Sequence, residues 1–396
     1  MLLPGQRILG GGATLVPLAA MGAMFDMGPS SSIDGLQLQN SEGLAQTAIR
    51  IPGDADSVAH VTSATIIGFS TGIRAESGAY DVESSFFLNN GTALAASEAA
   101  ANGTVASNYV LGGSGFDLGS DADQAYSTEV VSNVVLPAVP GAYGIRVTAG
   151  ASVRIERNVV DQIISGPGVI IDGDNGLIGT VSVTNNYLGA NLYATEATNG
   201  IQLSGPLAHA NIAFNTFAGW GGYDLSAAGT SGLVVTGNNL SSTAGMANVK
   251  LASVQDAILL GNQFESRTAS LVEDASTNSA SIGNTFASGP DYAASSAHSG
   301  NRGDLVADTG MATVALQDAF ASVAQSTVPA TMRAPSGTGA TAMLGSSAFT
   351  EAELSAQADS AGVINAALAR LSPGDTLILP AGTFGIAAPI QLNGRN

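Results

Sequence analysis

The feature that most limits what this chain can become is a short phrase that returns along its middle. It reads Val183-Thr184-Asn185-Asn186-Tyr187-Leu188, Ile212-Ala213-Phe214-Asn215-Thr216-Phe217, Val235-Thr236-Gly237-Asn238-Asn239-Leu240, Leu259-Leu260-Gly261-Asn262-Gln263-Phe264 and Ser281-Ile282-Gly283-Asn284-Thr285-Phe286. Residues 105–110, 130–135 and 155–160 fit the same frame around Asn108, Asn133 and Asn158. The eight asparagines are spaced by 25, 25, 28, 29, 23, 24 and 22 residues. Periods of this length suit one coil of a parallel β-solenoid. The residue three before each asparagine is apolar in seven of the eight copies, Ser281 being the exception, and the residue two after is apolar in all eight. An alternating strand running into an asparagine bend explains both positions, with the apolar side chains inward and the amides stacked on one another. Chance recurrence in a chain rich in Asn, Gly and Ser is the alternative, and eight near-regular copies argue against it.

A solenoid also resolves what length alone leaves open. With 396 residues the chain is long enough for two or three globular domains, yet each solenoid coil packs only on its neighbours, so one long domain is expected. Hydrophobic residues make up 45% of the chain but aromatics only 5%, and small and β-branched side chains suit a narrow core between flat sheets. The net charge of −19, with Lys250 the only lysine, argues against nucleic acid and against acidic lipids or polyuronates that calcium does not bridge. The absence of cysteine excludes disulfides, thiolate zinc sites and cysteine nucleophiles. No apolar run is long enough for a membrane span, so no membrane insertion is expected. Arg7 ahead of the apolar stretch 13–25 imitates a leader peptide, but Gly10-Gly11-Gly12 and Pro17 read better as an opening coil.

In chain order, residues 1–57 hold two coils without asparagine markers, with strand-like pieces at 6–9, 14–16 and 33–38. A second strand of each later coil shows in Gly144-Ile145-Arg146-Val147, Gly168-Val169-Ile170-Ile171, Gly200-Ile201-Gln202-Leu203, Tyr223-Asp224-Leu225 and Val249-Lys250-Leu251. After Phe286 the rhythm stops. Residues 287–349 read as a linker or flanking segment, with a short helix over 311–324. Thr350 and Glu353 form a capping box for a helix to about Leu371, ended by Ser372-Pro373-Gly374 and followed by a strand and turn in Asp375-Thr376-Leu377-Ile378-Leu379-Pro380-Ala381-Gly382-Thr383-Phe384.

This last segment, with Ile364-Asn365-Ala366-Ala367-Leu368 before the strand, resembles the opening of right-handed parallel β-helix proteins of the pectate-lyase-like superfamily, where a helix caps the first coil. The superfamily includes lyases, hydrolases, epimerases, fructan transferases and phage tailspikes, so the resemblance implies the fold more sharply than the reaction. The segment stands at the opposite end of the chain from its place in that family. Residues 390–396 followed by 2–12 read as the natural continuation, so the order looks circularly permuted. The expected architecture is therefore all-β, a right-handed single-stranded parallel β-helix of about twelve coils. Residues 1–286 form the solenoid, 287–349 the flank, and 350–396 a helical cap and first-coil strand at the residue-1 end.

Candidate sites follow from alternation. Aligning the second strands places Arg146, Ile170, Gln202, Asp224 and Lys250 outward in one column, with Trp220 and Tyr223 beside it. Glycoside cleavage needs two carboxyls about 5 to 10 Å apart. Asp224 and Glu196 are the candidate pair, with Glu265 and Asp172 in reserve, and an ordinary Asp224–Lys250 surface ion pair is the alternative. Trp220, the only tryptophan, lies between glycines, which suits an exposed ring against a sugar as well as a ring packed on a neighbouring coil. Gln202, Lys250, Arg146 and Tyr223 would complete the substrate-binding face. No cofactor is required. Calcium fits best at Asp172-Gly173-Asp174-Asn175-Gly176, the richest of three Asp-x-Asp bends that also include Asp54/Asp56 and Asp121/Asp123, against a plain solvated turn as the simpler reading. His60, His209 and His298 are far apart and read as incidental, and no nucleophile elbow, phosphate loop or Asp-Pro-His epimerase motif is present. Val234, Ile258 and Leu260 would form an outward apolar stripe. A homo-oligomer would cover it, and the resemblance implies a trimer; a covering loop from 287–349 is the alternative. Two function classes result: a carbohydrate-active enzyme of glycoside hydrolase or transferase type on a neutral or weakly charged extracellular polysaccharide, or a non-catalytic glycan-binding spike, adhesin or structural surface protein.

Overall fold

The structure, a computed structural model, describes residues 5–53, 57–97, 99–120, 126–174, 178–191, 198–241, 247–265, 269–293, 295–299, 301–302, 341–343, 360–368, 376–379 and 382–391. The chain divides into two compact units, residues 1–120 with 330–396, and residues 121–329. Each is an all-β parallel solenoid whose coils contribute one strand to each of three sheets, here named A, B and C in chain order. This is the fold that the resemblance implies.

In the first unit one coil runs through Ala79–Glu83 in sheet A, Phe86–Leu88 in sheet B and Thr92–Ala96 in sheet C. Every second residue points inward. Val61, Val82 and Val105 therefore stack in sheet A, Ile66, Phe87 and Val110 in sheet B, and Ile73, Leu94 and Phe116 in sheet C, all at 1% exposure or less. Residues from the far end of the sequence lie beside the first coil. Thr376–Ile378 pairs with Arg7–Leu9, Gly382–Ile386 with Ala13–Pro17, and Ile390 and Gln391 with Phe25 and Asp26.

The expected helical cap is not supported. The described helix is only Ala361–Leu368, two turns that open on Ala361-Gly362-Val363, a weak start by helix propensity. It lies alongside the 385–389 backbone, where Ser360 N–H donates to Gly385 O at 2.7 Å and Asn365 Nδ2 to Pro389 O at 3.1 Å. Residues 350–359 and the proposed helix over 311–324 lie outside the described residues.

The second unit is organised by the asparagines. Along Asn133, Asn158, Asn186, Asn215, Asn238, Asn262 and Asn284, each side-chain oxygen accepts both the backbone N–H and the amide Nδ2 of the preceding asparagine, from Asn133 N–H to Asn158 Oδ1 at 2.9 Å through Asn262 N–H to Asn284 Oδ1 at 2.8 Å. The free amide hydrogen reaches back to a strand carbonyl, as in Asn215 Nδ2 to Val183 O at 2.8 Å. The residue before each of these seven asparagines is left-handed, with φ from 55° to 62°. That conformation turns the chain from sheet A into sheet B, and the ladder supplies the bonds that hold Ser132, Arg157, Asn185 and Phe214 in a region non-glycine residues avoid.

Two expectations change here. The rhythm does not stop at Phe286: Asn284 N–H donates to Asn301 Oδ1 at 2.8 Å, and Ala297–Ser299 pairs with Ala280–Ile282 as one further short coil. The apolar stripe is also not wet, since Val234 and Ile258 are 8% and 4% exposed and only Leu260 is part-exposed. The exposed large apolar side chains among the described residues lie elsewhere: Leu18, Tyr109 and Leu111 in the first unit, and Val139, Val159, Tyr187 and Phe214 in the second.

Candidate functional site

The outer face of sheet C in the second unit holds most of the expected binding residues. Arg146, Ile170, Gln202, Ser226, Lys250 and Val272 are Cα partners on successive strands. Four strand steps separate Arg146 from Lys250, about 19 Å. The Lys250 ammonium stands 5.8 Å from the centre of the Tyr223 ring, within reach of a cation–π contact. Tyr223 is placed by its own backbone N–H, which donates to Asn199 Oδ1 at 3.0 Å. Donors thus line a flat track with an aromatic ring against one of its cations.

Asp224 is not on that track. Ser226 occupies the place expected for it, because the strand begins at Leu225, opposite Val249, and Asp224 belongs to the turn before. Its carboxylate is buried at 0% exposure and accepts from Asn248 Nδ2 at 2.7 Å, so the expected pairing with Lys250 is replaced by an internal contact that ties two coils together. Trp220 is likewise inside. The left-handed Gly219, φ 77°, lets the chain turn the indole into the corner between sheets B and C, where its N–H donates to Leu188 O at 3.0 Å. A Cβ at Gly168 would stand 2.9 Å from the indole, so that glycine is what makes room for the ring. Trp220 therefore cannot stack on a ligand in this conformation. Glu196 lies outside the described residues, and Glu265 is exposed and accepts from Gln263 Nε2 at 2.7 Å.

The calcium loop is only partly described. Asp172 Oδ1 accepts from the Asp174 N–H at 3.1 Å and from the Ser204 hydroxyl at 3.3 Å, the pattern of an aspartate that closes its own turn. Among the described residues no group of three or more His, Asp or Glu side chains is placed to hold a metal ion. Asp54, Asp56, Asp121 and Asp123 lie outside the described residues.

Two arrangements escape the sequence reading. On the outer face of sheet A in the first unit, Ser32, His60, Asp81 and Thr104 are Cα partners, with Asp34, Thr62 and Glu83 in register two residues on. His60 Nδ1 lies 3.1 Å from Asp81 Oδ2. Burial, and then the neighbouring Asp81 charge, push the Glu83 carboxyl above the usual glutamate range, with His60 pulling the other way. Residues 81 and 83 share one face of one strand, so their Cα atoms are about 6.6 Å apart. The second arrangement is Phe214, 61% exposed on a left-handed backbone, its ring lying against Gly237 of the next coil. Strain combined with an exposed aromatic is a pattern found at working surfaces.

Fold and surface together define an all-β parallel solenoid with flat polar faces. No family model matches the chain, and no curated protein matches it. Among solved structures the chain is similar to the Dettilon tailspike protein, at 13% identity over 76% of this chain and 59% of that one, with a TM-score of 0.36. The chain thus spans less than two thirds of that tailspike's length, and an identity and superposition this low carry no residue roles across.

Proposed function

We propose that this chain is a carbohydrate-binding β-solenoid of an extracellular or cell-surface setting, which lays a neutral or weakly charged polysaccharide along the outer face of sheet C in its second unit. The observation that carries this reading is the donor track of Arg146, Gln202, Ser226 and Lys250 with the Tyr223 ring against Lys250. Hydroxyl-rich chains are bound by rows of such donors, and the apolar face of a sugar ring packs on an aromatic. The overall charge of −19 weakens binding of strongly anionic chains. A glycan array followed by titration of its strongest neutral hit tests the reading. Tyr223→Ala and Lys250→Ala should each weaken binding by about tenfold, and unchanged affinity in both removes this face.

The enzymatic reading is favoured by one specific arrangement, the Asp81 and Glu83 carboxyls. Glu83, its carboxyl raised by burial, suits the acid that protonates a leaving glycosidic oxygen, and Asp81 beside His60 suits the nucleophile or base. Reducing ends released from a bound polysaccharide by the unaltered chain, and lost in Glu83→Gln and Asp81→Asn, would support it. A homo-oligomer, with a trimer as the first assembly to test, belongs to the same picture. Its support is the exposed Tyr109 and Leu111 on sheet B beside Phe86, whose ring centroid lies 5.5 Å from that of Tyr109. Sedimentation at the 39.2 kDa of a single chain would refute it.

A further inference from the structure

The last described coil of the second unit, residues 291–293, 295–299 and 301–302 (291–302 below), is fastened at three places by backbone and ladder bonds. Asp291 exchanges bonds with the strand Ala269–Asp274, its N–H donating to Leu271 O at 2.8 Å and its carbonyl accepting Glu273 N–H at 2.9 Å. Ala297–Ser299 pairs with Ala280–Ile282. Asn301 closes the asparagine ladder, and Arg302 N–H donates to Asn284 O at 2.7 Å. Between the first and second fastenings the described residues 293 and 296 meet one side chain in particular. Glu273 Oε2 accepts the Ala293 N–H at 2.8 Å and the Ser296 hydroxyl, while Ser295 adds longer contacts to Asn278 N–H and Ser276 O at 3.3 and 3.5 Å.

That side chain is out of character for its seat. Ile171, Leu203, Ala227 and Leu251 occupy the same inward column on the preceding coils, and Glu273 continues it at 7% exposure, with its Oε1 buried beside Ser279. No cation faces it. On the strap the nearby titratable groups are Asp291, Tyr292 and His298, the last two ring-stacked at 4.5 Å; on its own strand there is Asp274, exposed on the outer face; the turn 275–279 carries none. Lys250 on the adjacent strand sits on the opposite face of the sheet.

We infer that residues 291–302 form a pH-sensitive strap, closed over the end of the second unit while Glu273 is neutral and loosened as Glu273 becomes a carboxylate. Burial is the largest influence on this carboxyl and pushes it above the usual glutamate range, against the pull of its hydrogen bonds from Ser296 and Ala293. A carboxyl raised in the closed state stabilises closure fully below its ordinary value, and that contribution is lost as pH rises through the raised one. An open strap uncovers the edges of the strands 269–274, 280–282 and 285–286, a template for pairing with another chain.

Amide exchange of the whole chain at pH 4 and pH 8, corrected for intrinsic rates, tests this. Protection across 291–299 should fall about tenfold or more from acid to alkaline pH, while 201–213 stays constant. In Glu273→Gln, which keeps the acceptor and cannot ionise, protection should remain at its acid level. Equal protection at both pH values in the unaltered chain, or the same fall in Glu273→Gln, overturns the inference. Loosening on acidification also overturns it, because that is the opposite of the direction Glu273 predicts. Should Glu273→Gln fail to fold, Ser296→Ala serves: losing a donor to the carboxylate should move the transition to higher pH, and an unmoved or lower midpoint refutes the strap.

Discussion

Replacing Asn215 by alanine is the sharpest test of what holds the second unit together. Its Oδ1 accepts the Asn186 N–H and Nδ2, both at 2.9 Å, and its Nδ2 donates to Val183 O at 2.8 Å and Asn238 Oδ1 at 3.0 Å. Alanine removes all four bonds in a seat that is 1% exposed, where water cannot replace them. Asn186 Nδ2 keeps two carbonyl partners, Ile155 O and Thr184 O, but the Asn186 N–H loses this acceptor and Val183 O this donor. One or two stranded buried groups at about 1–3 kcal/mol each give a loss of roughly 2–4 kcal/mol. Urea unfolding followed by the fluorescence of Trp220, the only tryptophan and part of the same coil, reads this directly. Asn191→Ala, whose amide makes an exposed bond to Gln162, is the control and should change stability by less than about 0.5 kcal/mol. If Asn215→Ala matches that control, the ladder is a consequence of the fold and not a cause. Asn215→Asp adds a second arm. It keeps the acceptor but points a carboxylate at two oxygens, so it should cost more than alanine at neutral pH and recover as acid protonates it.

Other outcomes follow from single contacts. If the enzymatic reading holds, activity should fall on the alkaline side as Glu83 loses its proton, with the midpoint of that limb above the usual glutamate range. Trp220→Phe should cost roughly 1–3 kcal/mol by leaving Leu188 O without its indole donor, measured by circular dichroism during urea unfolding. Phe214→Gly should raise stability by about 1 kcal/mol, because the left-handed backbone no longer carries a Cβ; a loss would mean that the ring's contact with Gly237 outweighs the strain. Removing residues 376–391 bares the edges of Arg7–Leu9, Ala13–Pro17 and Met21–Asp26, and light scattering should report aggregation.

Much of the fold was legible because a solenoid repeats its physical constraint. The residues three before and two after each asparagine are buried in all eight copies, Ser281 included, and that alternation alone assigns the inward faces of sheets A and B. The ladder was legible too, since one amide in one bend on every coil can only stack. The extra coil at 291–302 was not, because its period shortens to 17 residues from Asn284 to Asn301 and the apolar seat three before Asn301 is filled by His298. The cap was not legible because a capping box and periodicity describe what a segment could form alone, not where it packs; of that segment the described helix is Ala361–Leu368.

The sites were less legible, for a reason that separates strands from turns. Alternation gives the direction of a side chain only within a strand, and Gln202, Lys250 and Arg146 fall on the expected face because they lie there. Asp224 and Trp220 lie in the turn before Leu225, where left-handed residues such as Gly219 set the direction, and both point inward. The His60, Asp81 and Glu83 group failed differently. Its members come together only through the register of two neighbouring coils, and those coils lack the asparagine that marks register elsewhere. The same seat is held by Ala64 and Ser85, whose hydroxyl oxygen accepts the Ala64 N–H at 3.1 Å while its own N–H donates to Asn108 Oδ1 at 2.9 Å. Any small residue that passes this bond from coil to coil can replace asparagine. The first unit's bends are therefore held by the same kind of bond under a different letter, and the carboxyl pair lies where the letter was no longer a guide.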